Sequence, residues 1–116
     1  MERSTLRGMD VELSERAQRA LRRLQPAADL GHAIEAVTLD AARLRLHDVA
    51  DQLVGFEARY GRTFEQFAAD WSAGRQADRF SHRIERAFME WEALTVERRE
   101  LLDVIRELSA AADASP

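Results

Sequence analysis

The chain has 116 residues, of which 46% are hydrophobic and 33% are charged, and it contains no cysteine. The lack of cysteine excludes disulfide bonds and cysteine-ligated zinc or iron–sulfur sites. The formal net charge is −4, and all 17 basic residues are arginine. With only five glycines and two prolines, the composition favours one compact domain built from helices with little connecting loop.

Charge is distributed unevenly along the chain. Residues 1–25 carry six arginines and four acids, whereas the remaining residues carry 11 arginines and 17 acids. Any contact with nucleic acid is therefore expected at the N-terminal end. Residues 1–15 lack the apolar run of a signal peptide, and no stretch of about 18 uncharged apolar residues occurs anywhere. These features predict a cytoplasmic location without a membrane span.

The first half of the chain predicts an arm followed by two helices. Residues 1–12 alternate weakly and are expected to form a flexible arm or at best a short strand. A first helix over about 14–25 begins at the candidate N-cap Ser14 and ends before Pro26. A second helix over about 29–60 ends at Gly61, a residue type favoured at helix C-termini.

The second half predicts a short helix and a long one. Thr63, followed three residues later by Gln66, forms a capping-box pattern at the start of a helix over about 64–73, which Gly74 ends. After a loop that reaches Arg79, Ser81 begins a fourth helix over about 81–112. Residues 13–112 are thus expected to form a single helical domain, with a tail at 113–116.

The two long helices have seven-residue hydrophobic repeats that are typical of packed helix pairs. In the second helix the repeat comprises Leu39, Leu46, Leu53 and Tyr60 at one position and Ala42, Val49 and Phe56 at the other. In the fourth it comprises Ile84, Trp91, Arg98, Ile105 and Ala112, with Ala87, Leu94, Leu101 and Leu108. This pattern predicts an all-α fold: a long antiparallel helical hairpin with short N-terminal and corner helices, dimerising into a bundle.

One stretch of the chain resembles a known group of proteins. Residues 56–67 read FEARYGRTFEQF, and residues 90–94 read EWEAL. This FExxYGxTFExF…EWEAL pattern resembles that of small all-helical prokaryotic proteins, which look like the antitoxin-like partners of two-gene toxin–antitoxin cassettes. The resemblance implies a non-catalytic protein that binds and neutralises a small toxin encoded nearby.

Acidic side chains of the fourth helix are the expected partner-binding residues, because a basic toxin would be attracted to them. Arg98 interrupts an apolar seam and is expected either to specify the partner or to extend to solvent from the seam edge. The aromatic residues near the turn are interpreted mainly as an aromatic core. The candidate partner-binding residues are Glu90, Trp91, Glu97, Arg98, Glu100 and Glu107.

The sequence offers little catalytic chemistry. It has no nucleophile elbow and no glycine-rich phosphate loop. His32, His47 and His82 lack the glutamate pattern of di-iron bundles and are interpreted as surface residues. We therefore expect no catalytic residues, no metal ligands and no cofactor.

Two alternatives to a toxin-binding protein remain. Met9 to Leu13 alternate and precede an arginine-rich helix, an order that resembles a dimeric ribbon-helix-helix transcriptional regulator binding DNA through residues 1–35. Asp10 and Glu12 disfavour an inserted ribbon because they would repel phosphates. The other alternative is a self-assembling scaffold; binding at a membrane surface is disfavoured because the polar helix faces hold as many acids as arginines. The candidate nucleic-acid contacts are Arg16, Arg19, Arg22 and Arg23.

Overall fold

The computed structural model describes residues 3–6, 9–75 and 81–114, and side chains within 13–75 and 81–110. Within these residues the domain is all-α, with four helices, each within two residues of its predicted bounds, after a short N-terminal strand pair. These helices are α1 (Glu15–Leu24), α2 (Leu30–Tyr60), α3 (Phe64–Ser72) and α4 (His82–Ala114). None of the helices in the described part of the chain is long and apolar enough to cross a membrane.

Two short strands precede the helices, in the segment expected to be an arm or at best one strand. Strand β1 (Arg3–Leu6) pairs antiparallel with β2 (Met9–Glu12), with Arg3 opposite Glu12 and Leu6 opposite Met9. The residues that join them, 7–8, lie outside the described residues, as do 1–2. Most of the expected loop at 74–79 and the end of the expected tail at 113–116 also lie outside, while 113–114 belong to α4.

The chain divides into two compact units, and both long helices contribute to each. The first unit comprises residues 1–43 and 104–116. In it, Ser14 caps α1 by accepting the Ala17 N–H at 3.1 Å. Gln18 is buried and donates from Nε2 to the Leu13 carbonyl at 3.1 Å, so this buried amide has a partner.

The second unit, residues 44–103, contains the main described hydrophobic core. Here α2 and α4 pack against each other as a hairpin, which confirms the predicted pairing of the two long helices. Arg98, which occupies a repeat position on α4, is exposed. The buried core residues are Val49, Phe56, Phe67, Ala87, Trp91 and Leu94.

Two turns position α3 between the long helices. Gly61 has a φ of 65°, a left-handed conformation that suits glycine, and its N–H donates to the Glu57 carbonyl at 2.8 Å. Thr63 and Gln66 then form the predicted capping box, with Thr63 Oγ1 accepting at 3.2 Å and Gln66 Oε1 accepting at 3.0 Å. Gly74, with a φ of 72°, follows the end of α3.

Arginine pairs also hold the end of α3. Asp70 accepts from Arg62 Nη1 at 2.6 Å and from Arg75 Nε at 3.0 Å. The hydrogen bond from Arg75, followed by that from Arg62, lowers the pKa of Asp70 below its usual value. The turn before α3 and the turn after it are therefore tied to one carboxylate.

Candidate functional site

Aromatic side chains from α2, α3 and α4 meet around Trp91, which confirms the predicted aromatic core. The Trp91 ring lies 5.3 Å from Phe56, 5.1 Å from Phe67 and 5.7 Å from Phe64, measured between centroids. Tyr60 stacks on the same indole at 5.5 Å. These spacings are those of favourable aromatic pairs, so the cluster fixes α3 against both long helices.

Trp91 is fully buried, with a relative accessibility of 0%. It therefore cannot touch a partner in this structure, and its placement corrects its inclusion among the partner-binding residues. The reason is geometric: its repeat position points toward α2, whereas its neighbours Glu90 and Glu92 are exposed. Its Nε1–H is buried without a hydrogen-bond acceptor in the described structure.

The outward side of α4 in the second unit combines apolar and acidic side chains. Met89 is 68% exposed and Val96 is 45% exposed, and their spacing of seven residues places them on one side of the helix. Residues three or four positions from these two lie on the same side. We call this surface the acidic face; it comprises Glu85, Met89, Glu92, Ala93, Val96 and Glu100.

Two of the three carboxylates on the acidic face, Glu92 and Glu100, form no ion pair with the described residues. Both side chains are exposed. Glu85 lies 3.7 Å from His82 Nδ1, a contact between exposed groups. The face therefore has an apolar centre beside the unpaired carboxylates of Glu92 and Glu100, with Arg86 and Arg99 at its borders.

The other predicted acids of α4 lie elsewhere. Glu97 faces α2, where both its oxygens accept from Arg45, at 2.7 Å from Nη2 and 2.5 Å from Nε. Glu90 lines a groove on a neighbouring side of α4. Glu107 is exposed and belongs to the first unit. Of the four predicted acids, only Glu100 lies on the acidic face of the second unit.

Arg98 borders a recess of about 320 Å³ in the second unit. Leu53 and Phe64 form part of its apolar wall, and Glu57 and Glu65 lie at the same recess. The Arg98 side chain is exposed. Its position agrees with the interpretation that it extends from the edge of the seam to solvent.

A second, larger groove in the same unit is lined by arginines that the sequence reading did not single out. Its volume is about 600 Å³. No sequence motif predicts this groove, because its arginines belong to α2 and α4, which are separated in the chain by α3. We call it the arginine groove; its lining residues are Phe56, Arg59, Tyr60, Arg83, Arg86, Ala87, Met89 and Glu90.

The predicted nucleic-acid contacts lie on α1 in the first unit. Arg16, Arg19, Arg22 and Arg23 are all exposed, and Arg19 lies 3.9 Å from Glu15. The preceding strand β2 pairs with β1 of the same chain, whereas a ribbon-helix-helix protein pairs its strand with that of a second chain. The arginines are thus accessible, but the strand pairing differs from the expected one.

The histidines each lie beside one carboxylate. Asp29 caps the start of α2, since its Oδ1 accepts the backbone N–H of His32 at 2.8 Å, and its Oδ2 lies 2.9 Å from His32 Nδ1. The backbone hydrogen bond lowers the pKa of Asp29, and the side-chain hydrogen bond raises the pKa of His32. No group of three or more metal-ligating side chains occurs within the described residues.

Comparison of the chain with protein-family models, with curated proteins and with solved structures finds no match. The chemistry of the acidic face, the arginine groove and α1 is therefore the basis for proposing a function. The acidic face has two exposed apolar side chains, Met89 and Val96, and two carboxylates without an ion pair among the described residues, Glu92 and Glu100.

Proposed function

We propose that the chain is a non-catalytic protein-binding module and that the acidic face of α4 binds a small basic protein. The observation that supports this proposal is the exposure of Met89 and Val96 beside Glu92 and Glu100, two carboxylates that form no ion pair with the described residues. An apolar centre within a charged rim is the usual arrangement of a specific protein interface. Complementary charge would accelerate the encounter and select a basic partner.

The resemblance to antitoxin-like proteins suggests what this partner is. A small toxin that acts on nucleic acid carries basic residues at its active site, because its substrate is an anion. Carboxylates such as Glu92 and Glu100 would compete with that substrate for the same residues. We therefore propose neutralisation by occlusion: the acidic face covers the basic surface of a cognate toxin encoded nearby, in the cytoplasm.

We further propose that the module acts as a homodimer. Leu44 is 74% exposed and Val54 is 63% exposed, and both belong to α2 in the second unit. A second copy would remove such apolar surface from water. Light scattering during size-exclusion chromatography tests this point, since a mass of one chain at micromolar concentration contradicts it and a mass that grows with concentration beyond two chains indicates a scaffold instead.

Co-expression with each flanking reading frame tests the toxin-binding function. The expected result is a stable complex with a basic protein that arrests growth when it is expressed alone. The variant E92Q/E100Q should weaken this complex, because it removes two charges from the acidic face. The matched control E57Q/E65Q removes two exposed charges from α2 and α3 and should leave the complex unchanged.

DNA binding through residues 1–35 is the alternative, and the exposure of the α1 arginines supports it. A regulator would bind duplex DNA with an affinity that falls steeply as salt rises. Replacing Arg16, Arg19 and Arg23 by glutamine would abolish that binding. If these substitutions affect function and E92Q/E100Q does not, the DNA-binding alternative replaces the proposal.

A further inference from the structure

The arginine groove is a second binding surface, and it differs in charge from the acidic face. Arg59 comes from α2, whereas Arg83 and Arg86 come from α4. The guanidinium carbon of Arg59 lies 5.7 Å from the centroid of the Phe56 ring. This cation–π contact places Arg59 over an aromatic ring of the groove.

The positive charge of the groove is poorly compensated. Arg83 and Arg86 form no ion pair with any residue of the described ranges, and both are exposed. Glu90 is the single carboxylate among the described residues that line the groove. Three guanidinium groups and one carboxylate leave an excess of two positive charges at the groove, in a protein whose net charge is −4.

Two of these arginines, Arg83 and Arg86, occupy positions in α4 where positive charge destabilises the helix. Arg83 and Arg86 are three residues apart in the first turns of α4, which begins at His82. Like charges at this spacing repel one another. Cations near a helix N-terminus also meet the positive end of the helix dipole. An arrangement that violates two local preferences is expected where a binding site requires it.

The groove also offers apolar surface. Ala87 and Phe56 contribute to its lining from the buried core, and Met89 contributes an exposed thioether. A volume of about 600 Å³ falls within the range of small-molecule sites. Guanidinium groups beside an apolar wall suit a ligand that has an oxyanion at one end and an apolar body at the other.

We propose that the arginine groove binds a small organic phosphate, a phosphate ester of an apolar or aromatic group. Arg83 and Arg86 bind the phosphate oxygens, Arg59 adds charge from the opposite helix, and Phe56 and Met89 contact the ester group. A compact ligand is favoured over a nucleic-acid strand, because Glu90 in the groove and Glu85 on the adjoining acidic face would repel further phosphates. This proposal does not depend on toxin binding.

Titration with phenyl phosphate, followed by calorimetry and by tryptophan fluorescence, tests this site. Trp91 stacks on Phe56, so a ligand against Phe56 is expected to change its emission. Phenyl phosphate should bind at least about tenfold more tightly than inorganic phosphate, since only the ester reaches the apolar wall. The variant R83Q/R86Q should weaken binding by about tenfold or more, because it removes charge-assisted hydrogen bonds.

The matched control is R43Q/R99Q, which removes two exposed arginines outside the groove and should keep the affinity for phenyl phosphate. Circular dichroism should show that R83Q/R86Q folds at least as stably as the parent, because a repulsive pair is removed. Binding that is equal in both variants, or absent at millimolar phenyl phosphate, would overturn the proposal. Tighter binding of a short single-stranded DNA that R83Q/R86Q abolishes would also overturn it, in favour of a nucleic-acid site.

The substitutions separate the two proposals experimentally. R83Q/R86Q leaves Glu92, Val96 and Glu100 intact, so the toxin complex should persist when the phosphate site is lost. E92Q/E100Q should leave phenyl phosphate binding in place. An unchanged toxin complex with E92Q/E100Q therefore contradicts only the toxin-binding proposal, and unchanged phosphate binding by R83Q/R86Q contradicts only the phosphate-site proposal.

Discussion

Arg45 and Glu97 are separated by 52 positions in the chain and form a bidentate ion pair between α2 and α4. Both side chains retain substantial exposure, at 45% and 36%. Arg45 Nη1 also donates to Asp48 at 2.8 Å, which holds the guanidinium in place. The pair thus links the two long helices at one level of the hairpin, in addition to the contacts of the apolar core.

Low pH should weaken the contribution of the Arg45–Glu97 ion pair to the free energy of unfolding. The hydrogen bond from Arg45 lowers the pKa of Glu97 below its ordinary value. A lowered folded-state pKa contributes stability above the ordinary carboxyl pKa, and that contribution is lost as the pH falls through the lowered value. Glu97→Gln should therefore reduce the free energy of unfolding at neutral pH, and the difference from the parent should shrink at about pH 3.

Urea unfolding followed by circular dichroism at both pH values measures the effect of Glu97→Gln. Glu100→Gln is the control, because Glu100 forms no ion pair with the described residues. A difference for Glu97→Gln that stays constant from neutral to acidic pH would show that the pair does not form in solution.

Trp91 should be the most sensitive position in the core. Trp91→Ala removes contacts to four aromatic rings and should lower the free energy of unfolding by about 3–5 kcal/mol. Trp91→Phe should cost less, because it keeps an aromatic ring in the stack and removes an N–H without an acceptor. Urea unfolding of the two variants tests this order, and an equal loss would contradict it.

Substitution of two glycines by alanine should change the stability of the protein in opposite directions, although both glycines have space for a Cβ. A Cβ at Gly55 or at Gly61 would meet no atom within 4 Å. Gly61 has a positive φ, so Gly61→Ala should cost about 1–2 kcal/mol in backbone strain. Gly55 lies inside α2, so Gly55→Ala should stabilise by about 0.5–1 kcal/mol. Thermal unfolding of both variants provides the measurement, and a shift of the same sign in both would be the contrary result.

The capping box of α3 should contribute measurably to stability. Thr63→Ala removes the acceptor for the Gln66 N–H and should cost about 1 kcal/mol. Thr38→Ala is the matched control, because the Thr38 hydroxyl donates to the Ile34 carbonyl within α2 and caps nothing. Denaturant titrations of both variants would refute this account if their losses were equal.

The helix bounds and the core could be predicted because they depend on local signals. Ser14, Thr63 and Gly61 mark helix ends through their own backbone and side-chain chemistry, and the seven-residue repeats identify Val49 and Trp91 as inward-facing. These signals act within one helix. The structure therefore confirms the helix ends and the inward-facing residues that these signals predict.

The surfaces could not be predicted in the same way, because they depend on register between helices. Glu97 was expected to bind a partner, yet it meets Arg45, and nothing in either local sequence indicates this pairing. Likewise, Arg59 and Arg83 come to one groove only because the turns around α3 bring α2 and α4 together. Trp91 is expected at a partner surface because aromatic residues are frequent interface hot spots, whereas its repeat position on α4 points inward and the structure buries it.

If the acidic face of α4 binds the partner, replacing its apolar centre, Met89 and Val96, should abolish neutralisation. We would co-express the growth-arresting neighbour with the parent, with M89S/V96S and with the control L24S, which changes an exposed leucine of α1, and measure how much growth each restores. The parent and L24S should restore growth and co-purify with the neighbour, whereas M89S/V96S should do neither while keeping its helical circular dichroism. Full restoration of growth by M89S/V96S would contradict the account.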